Sequence, residues 1–155
     1  MEPVIIREAT LSDARQLSDL ICENAHALLK PHYSNEQWDI FIRYYSEQVM
    51  MEKLQRQAVF CAEINGEIVG TVALEDNWVF GFYTRLQNVN QGIGKRLMAH
   101  LEDYARAQGL DTLQLAASPV GLAFYYKHGW QKVRDFTAYH YGVGFDETLM
   151  TRSLR

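Results

Sequence analysis

Hydrophobic positions in the first third of the chain change from a compact run to a helical repeat. Residues 4–6 are a short β-branched run, which favours a strand. Apolar residues then recur every three or four positions from Ala14 to Leu28, as in an amphipathic helix, until Pro31 ends the pattern. Ser34 begins a second helical region, whose aromatic side chains share one face. The chain is therefore predicted to open with a strand and two helical segments.

The middle of the chain carries three runs typical of strands. Residues 58–64 and 68–74 flank Asn65-Gly66, a two-residue turn that requires positive φ angles, so these runs predict a β-hairpin. A third run, residues 78–84, is dense in aromatic and β-branched side chains. We expect it to extend the same sheet.

In the last part of the chain, segments with helical spacing of apolar residues alternate with short runs typical of strands. Residues 93–105 place apolar side chains on one helical stripe, and Gly109 follows as a natural stop. A short strand is predicted at 112–116, and Ser118-Pro119 indicates the start of a helix that reaches His128. This alternation predicts an α/β organisation.

Two closing strands are predicted at residues 132–141 and 148–154, interrupted by Gly142 and Gly144. The pattern contains no repeat, linker or low-complexity stretch. Since 155 residues suffice for one compact domain and are too few for two ordinary ones, we expect a single domain over residues 1–155.

Composition then narrows the functional classes. Apolar residues make up 48% of the chain and charged residues 22%, the balance of a globular protein. The net charge of -4 provides no basic stripe, so no nucleic-acid partner is expected and a cationic small substrate is favoured. Cys22 and Cys61 are expected to be reduced thiols. Without a leader pattern or a run of ~20 apolar residues, we expect a cytoplasmic protein with no membrane partner.

A glycine pair marks the most informative turn of the chain. Gly92 and Gly94 lie where the third strand run gives way to the amphipathic helix. Free amides at a helix start, together with the helix dipole, can hold a diphosphate, and glycine lets it approach the backbone closely. Lys95 and Arg96 would add positive charge nearby. Taken alone, however, a Gly-x-Gly pair more often makes only a turn.

Other nucleotide and metal motifs do not match this stretch. A dinucleotide fingerprint needs a further glycine where Leu97 stands, and a P-loop needs Ser or Thr where Arg96 stands. The sequence contains neither a His-Glu-x-x-His pattern nor a cysteine pair at ligand spacing, so no metal site is expected.

Two motifs at a fixed separation give the turn a more specific meaning. Phe82-Tyr83-Thr84 is followed by Gln91-Gly92-Ile93-Gly94-Lys95-Arg96-Leu97, and Phe124-Tyr125-Tyr126-Lys127-His128-Gly129-Trp130 comes later. Together they resemble the acetyl-CoA-binding motif and the Phe-Tyr-x-x-x-Gly-Phe motif of the GNAT acyltransferase superfamily. The resemblance covers nearly the whole chain, and His32-Tyr33-Ser34 with Gln37 also looks like a subgroup of uncharacterised bacterial members.

The resemblance implies a GNAT fold, with a mixed central sheet of about six to seven strands and helices on both faces. It also implies acetyl-CoA as co-substrate, without a metal. The positions implied to bind it are Phe82, Tyr83, Thr84, Val89, Asn90, Gln91, Gly92, Ile93, Gly94, Lys95, Arg96, Ser118 and Phe124. Val89 departs from the family pattern, which has Gln or Arg there, so we expect weaker or rearranged diphosphate binding.

Acyl transfer from a thioester to an amine needs a proton for the leaving thiolate. Tyr125 is the candidate general acid, because a phenol of pKa ~10 is protonated at neutral pH and the resemblance implies a hydroxyl near the sulfur. Tyr126 is an alternative donor, and Tyr125 could also be a core tyrosine.

The general base is less defined by the sequence. Glu75 is the candidate, and Asp76, His32 and His140 are alternatives; each could equally be a solvated or structural residue. Direct attack of the amine requires no covalent enzyme intermediate and therefore no nucleophilic triad.

Tyr33 and Trp38 are the candidate lining of the acceptor pocket, because in the family the first helices cover the acceptor site. At helical spacing, packing of the aromatic side chains on the sheet is the simpler interpretation for Trp38.

The leading hypothesis is an N-acetyltransferase that acts on a primary amine of a small molecule or peptide in a ternary complex. The alternatives are a non-catalytic acyl-CoA-binding module, suggested by Val89 and the unassigned base, and a scaffold without acetyl-CoA affinity. A monomer or a homodimer is expected from the resemblance.

Overall fold

The computed structural model describes residues 3–155, which form seven strands and five α-helices. In chain order they are β1 Ile5–Glu8, α1 Ala14–Leu28, α2 Asn35–Tyr44, α3 Glu47–Arg56, β2 Ala58–Ile64, β3 Glu67–Glu75, β4 Trp78–Thr84, α4 Ile93–Ala107, β5 Thr112–Ala117, α5 Leu122–Lys127, β6 Gln131–His140 and β7 Val143–Ser153. The predicted strand and helix order is confirmed.

The aromatic helical region divides into two helices. α2 ends at Tyr44, and Ser46 takes up an extended conformation from which its side chain accepts a hydrogen bond from the Val49 amide (3.3 Å). A hydroxyl in this position caps a new helix start. The single continuous region predicted after Ser34 is therefore α2 followed by α3.

Two predicted boundaries near the C-terminus are wrong. β7 begins at Val143 and not at residue 148, because Gly144 lies inside the strand and pairs with Tyr139. The interruption is confined to Tyr141 and Gly142, both with positive φ (52° and 81°). The helix expected from Ser118 begins only at Leu122.

The seven strands form one mixed sheet in the order β1-β2-β3-β4-β5-β7-β6. α4 packs on one face, where Leu97 and Leu101 join Leu113 of β5 and Met150 of β7 in a fully buried cluster. α1, α2 and α3 cover the other face. The predicted mixed sheet with helices on both faces is confirmed.

β4 and β5 are parallel neighbours that touch at one end only. Their register contains the single pair Trp78 and Gln114, which Asn77 secures by accepting from the Gln114 amide (2.9 Å) and side chain (2.9 Å). β4 also bulges at Gly81, whose φ of 57° breaks the register with β3. Beyond Trp78 the two strands diverge and leave an unpaired edge on each.

Candidate active site

A cavity of about 890 Å³ occupies the gap between β4 and β5. Its wall includes residues 79–84 of β4 and 115–117 of β5, so it lies where the strands have separated. At one end it reaches the start of α4, and at the other it reaches the loop before α2 and the first residues of β7. We call these ends the amide half and the aromatic half.

The amide half is formed by the N-terminus of α4. Gly92 has the left-handed φ of 81° that turns the chain into the helix, and the first helical hydrogen bond runs from the Arg96 amide to the Gly92 carbonyl (3.1 Å). Within the described residues, the amides from Gly92 to Lys95 donate to no backbone carbonyl. Free amides and the positive end of the helix dipole make this end a site for an anion.

Gly94 is held against two aromatic rings below the turn. A Cβ at this position would lie 3.2 Å from the ring of Phe82 and 3.7 Å from that of Phe124, whereas a Cβ at Gly92 would meet nothing within 4 Å. The rings of Phe82 and Phe124 are themselves in contact (centroids 5.1 Å apart). Gly94 therefore lets the helix start lie directly on the aromatic floor of the gap.

The two lysines of the cavity wall, among the described residues, lie in this half. Lys95, Lys127 and His128 contribute to the lining, and burial, followed by the charges of Lys127 and Lys95, lowers the pKa of His128. Arg96 is not part of the wall, since it points to the Val4 carbonyl (3.2 Å). The half that offers free amides therefore also offers positive charge.

The remaining residues predicted for the cofactor site lie around the same turn. Val89 and Asn90 line the cavity, and Val89 is 41% exposed, so its side chain leaves the turn open to solvent. Gln91 does not line it and instead accepts from Asn88 (3.3 Å). Ser118 lies in the wall at the end of β5. The turn is thus built mainly by backbone and less by polar side chains.

Tyr125 lies in the wall between the two halves. Its ring contacts Phe82 (centroids 6.1 Å) and Trp130 (5.8 Å), and its hydroxyl has no hydrogen-bond partner within residues 3–155. Burial raises the pKa of Tyr125 above its ordinary value. The phenol therefore stays protonated and available as a donor. The neighbouring Tyr126 is 51% exposed and lies outside the wall.

Tyr83 follows Phe82 on β4 and points its ring the other way. Its ring meets those of Tyr45 (5.8 Å) and Phe41 (6.4 Å), and burial raises the pKa of Tyr83 well above its ordinary value. Asn24 of α1 donates to the carbonyl of Thr84 (2.6 Å) and so fixes the end of the strand. β4 thus gives alternate side chains to the two sides of the sheet.

The aromatic half is assembled from segments far apart in the chain. Its rings belong to the loop before α2, the end of α2 and the β6-β7 hairpin: Tyr33, Phe41, Tyr44, Tyr45, His140 and Phe145. Glu147 of β7 adds the one carboxylate among the described lining residues. The sequence pattern does not indicate Phe145 and Glu147, because Gly142 and Gly144 predict an interruption where the structure has the alternating start of β7.

Two further residues predicted for the site, like Gln91 and Arg96, lie outside the wall. Trp38 stacks on the far side of Phe41 (centroids 5.6 Å, planes 5° apart) and so supports the cavity from behind. Glu75 ends β3, where its carboxylate accepts from Arg56 (3.2 Å) and Gln57 (3.0 Å). Neither side chain faces the gap between β4 and β5. Of the sequence-predicted acceptor residues, Tyr33 lines the cavity.

The described residues contain no group of three or more His, Cys, Asp or Glu side chains that could hold a metal ion. Over the same residues, no helix is long and apolar enough to cross a membrane. Cys22 and Cys61 are free thiols, and burial raises the pKa of both.

Comparison with known proteins gives one consistent result. The family model described as Acetyltransferase (GNAT) domain matches residues 29–149. The GCN5-related N-acetyltransferase from Rhodopseudomonas palustris is 24% identical, with a TM-score of 0.89 over 99% of this chain and 97% of that chain. PaiA N-acetyltransferase from Thermoplasma acidophilum, solved in complex with coenzyme A, is 20% identical, with a TM-score of 0.82 over 97% and 99%. No curated protein matches.

Proposed function

This chain belongs to the GNAT acetyltransferase family, and we propose that it transfers the acetyl group of acetyl-CoA to a primary amine by direct attack in a ternary complex. One observation carries the proposal: the free amides at the start of α4 and the open gap between β4 and β5 belong to one cavity. We extend the proposal to a single domain over residues 1–155, supported by a sheet that runs from Ile5 to Ser153.

The residues around the turn fit the co-substrate. The amides from Gly92 to Lys95, with the side chains of Lys95 and Lys127, would hold the diphosphate. Backbone binding of this kind does not need the polar side chain that Val89 lacks. The unpaired edge of β4 from Val79 to Thr84 would receive the pantetheine arm as an added strand.

Two groups of the chain act on the reacting bond. Acetyl-CoA supplies an acyl group activated as a thioester. Backbone amides on the unpaired β4 edge would stabilise negative charge on the carbonyl oxygen, which develops in the transition state. The Tyr125 hydroxyl would donate a proton to the departing sulfur, since the raised pKa keeps it protonated and no described residue competes for its hydrogen.

Isothermal titration with acetyl-CoA tests the cofactor site. Gly92→Glu places bulk and negative charge on the open face of the turn, so binding is expected to weaken by about 100-fold or more. Gly109→Glu is the matched control: it lies just past the other end of α4, has a similar φ (85° against 81°) and also has nothing within 4 Å. It should bind acetyl-CoA like the unmodified protein.

The outcomes separate the proposed functions. Binding that only Gly92→Glu abolishes, together with release of CoA in the presence of an amine, supports the acetyltransferase. Binding without release of CoA for any amine supports the acyl-CoA-binding module. Absence of binding by the unmodified protein contradicts both.

A further inference from the structure

Charge is distributed unevenly along the cavity. The lysines of its wall, Lys95 and Lys127, flank the amide half, whereas Glu147 stands in the aromatic half. Among the described lining residues, the aromatic half contains no Lys or Arg. A negatively charged acceptor would meet the like charge of Glu147 there, and a positively charged one would meet an opposite charge.

Glu147 lies on the cavity face of the β6-β7 hairpin. Side chains alternate along a strand, so Glu147 shares a face with Phe145, and the register places Ala138 opposite Phe145 and Phe136 opposite Glu147. Asp146, between them, is exposed on the other face. The hairpin therefore presents one carboxylate to the cavity and one to solvent.

The carboxylate of Glu147 has no hydrogen-bond partner among the described residues. Within residues 3–155 it accepts no hydrogen bond, and the nearest basic nitrogen is Nε2 of His140, 3.9 Å from Oε1 of Glu147. Its side chain is only 19% exposed. Three other carboxylates of similar burial are paired with arginine: Asp13 and Glu63 with Arg7 (2.8 and 3.1 Å) and Glu102 with Arg152 (2.8 Å). Because a buried charge without a partner is costly, this geometry favours a cationic ligand.

Aromatic rings surround this carboxylate. Tyr33 meets Phe145 edge to face (centroids 5.3 Å), and Tyr44 and Phe145 meet His140 (5.1 and 5.4 Å). Burial, followed by the negative charge of Glu147, raises the pKa of Tyr33 to about 12. Ring faces attract cations as well as apolar groups, so the same wall suits both ends of an amphipathic amine.

We propose that the aromatic half selects a primary amine with a single positive charge and an aromatic or other apolar body, and that Glu147 receives its ammonium group. The proposal rests on the acetyltransferase function and names the acceptor class for that site. Glu75, satisfied by Arg56 and Gln57 outside the cavity, has no part in this recognition.

The proton balance assigns Glu147 a further task. An ammonium group cannot attack a thioester, so it must first lose one proton, which the Glu147 carboxylate accepts directly or through water. The neutral nitrogen then forms the new C–N bond as the C–S bond breaks, the sulfur takes a proton from Tyr125, and the nitrogen loses its remaining excess proton to solvent. Tyr125 and Glu147 exchange protons with solvent afterwards. The products are an amide, CoA and one released proton.

The test compares 2-phenylethylamine with two amines that each differ from it by one group. 2-Phenylethylamine carries an ammonium and a ring, and phenylalanine adds a carboxylate to the same skeleton; ethylamine removes the ring. Release of CoA is followed for each, and binding of 2-phenylethylamine to the CoA complex is measured by calorimetry. We expect kcat/KM for 2-phenylethylamine to exceed that for the other two amines by about 10-fold or more.

Glu147→Gln keeps the shape of the side chain and removes its charge. It is expected to lower kcat/KM for 2-phenylethylamine by about 10- to 100-fold and to weaken its binding to the CoA complex, with the Kd of acetyl-CoA unchanged. Asp146→Asn removes a charge from the neighbouring residue of the same strand, on the exposed face, and should leave every value unchanged.

The results distinguish the proposed acceptor class from the acetyltransferase function on which it rests. Suppose that the protein binds acetyl-CoA but turns over phenylalanine as well as 2-phenylethylamine or better, or that Glu147→Gln has no effect. Either result overturns the proposed acceptor class and leaves the acetyltransferase function in place. Failure to bind acetyl-CoA overturns both. Loss of activity in Asp146→Asn as well would assign the effect to the hairpin and not to the carboxylate.

Discussion

The two halves of the cavity are built by different means. The amide half comes from backbone: a left-handed glycine, free amides at the start of α4 and the unpaired edge of β4. The aromatic half comes from side chains that the loop before α2, the end of α2 and the β6-β7 hairpin bring together. A site of the first kind is specified by a short stretch of chain and tolerates changes such as Val89. A site of the second kind depends on the side chains and their packing.

Tyr125→Phe is expected to have the largest effect, because Tyr125 lies where the two halves meet. Loss of the hydroxyl removes the proton donor for the sulfur, and kcat should fall by about 10²- to 10⁴-fold. Binding of acetyl-CoA should be unaffected, since no contact of the amide half is altered. Steady-state kinetics and calorimetry measure the two quantities separately.

Tyr126→Phe is the matched control, as Tyr126 is the next residue of α5 and points away from the cavity. Equal losses in both variants would show that the hydroxyl of Tyr125 is not the donor. Weaker acetyl-CoA binding in Tyr125→Phe would show that the residue belongs to the amide half.

The same contrast explains what the sequence could predict. The glycine pair, the β2-β3 hairpin and the α4 stripe are local patterns, and their elements were predicted correctly. Residues 143–147 were not: Gly144 suggested an interruption, but it pairs with Tyr139 across a sheet that only the folded chain provides. Glu75 is a candidate because it lies just before the third strand run, and Trp38 because the family covers its acceptor site with the first helices. The direction in which each side chain points depends on tertiary packing.

Lys53, a buried lysine behind the aromatic half, should make the stability of the protein depend on pH. Its ammonium lies 3.5 Å from the ring centre of Tyr44 and 3.9 Å from that of Tyr45, behind the wall, and no salt bridge forms there within the described residues. Burial, followed by the charge of Arg56, lowers the pKa of Lys53 from 10.5 to about 7. The folded protein thus releases this proton far more readily than the unfolded chain.

The consequence is a stability that rises with pH. Between about pH 7 and 10.5 the unfolded chain holds the Lys53 proton and the folded protein does not, so the free energy of unfolding should rise with pH, by at most about 1.4 kcal/mol per pH unit. Below pH 7 both states are protonated and the penalty is constant. Denaturant unfolding from pH 7 to 9 measures this slope, which Lys53→Met should remove while raising stability at pH 7.

Lys30→Met is the control for Lys53→Met, because Lys30 also lies over a ring, 5.6 Å from the centre of Trp38, but is exposed. It should keep the slope. A slope that persists in Lys53→Met would assign the pH dependence to other groups and leave Lys53 charged above the tyrosines at neutral pH.

Replacement of Gln37 is expected to have the smallest effect, and it tests which contacts hold the aromatic half together. Its side-chain oxygen accepts from the Ser34 amide (2.9 Å), and its side-chain nitrogen donates to the Gly144 carbonyl (2.9 Å). The side-chain amide of Gln37 therefore caps the start of α2 and links it to β7, the strand that carries Phe145 and Glu147.

Gln37→Leu removes both bonds, whereas Ser34→Ala removes the cap hydroxyl and leaves the bond to Gly144. Each should lower the free energy of unfolding by about 1 kcal/mol. Only Gln37→Leu should also raise the KM of the amine, by about 3- to 10-fold, since the aromatic wall then loses its tie to the hairpin. An equal rise in Ser34→Ala would mean that the start of α2, and not the link to β7, holds the acceptor wall in place.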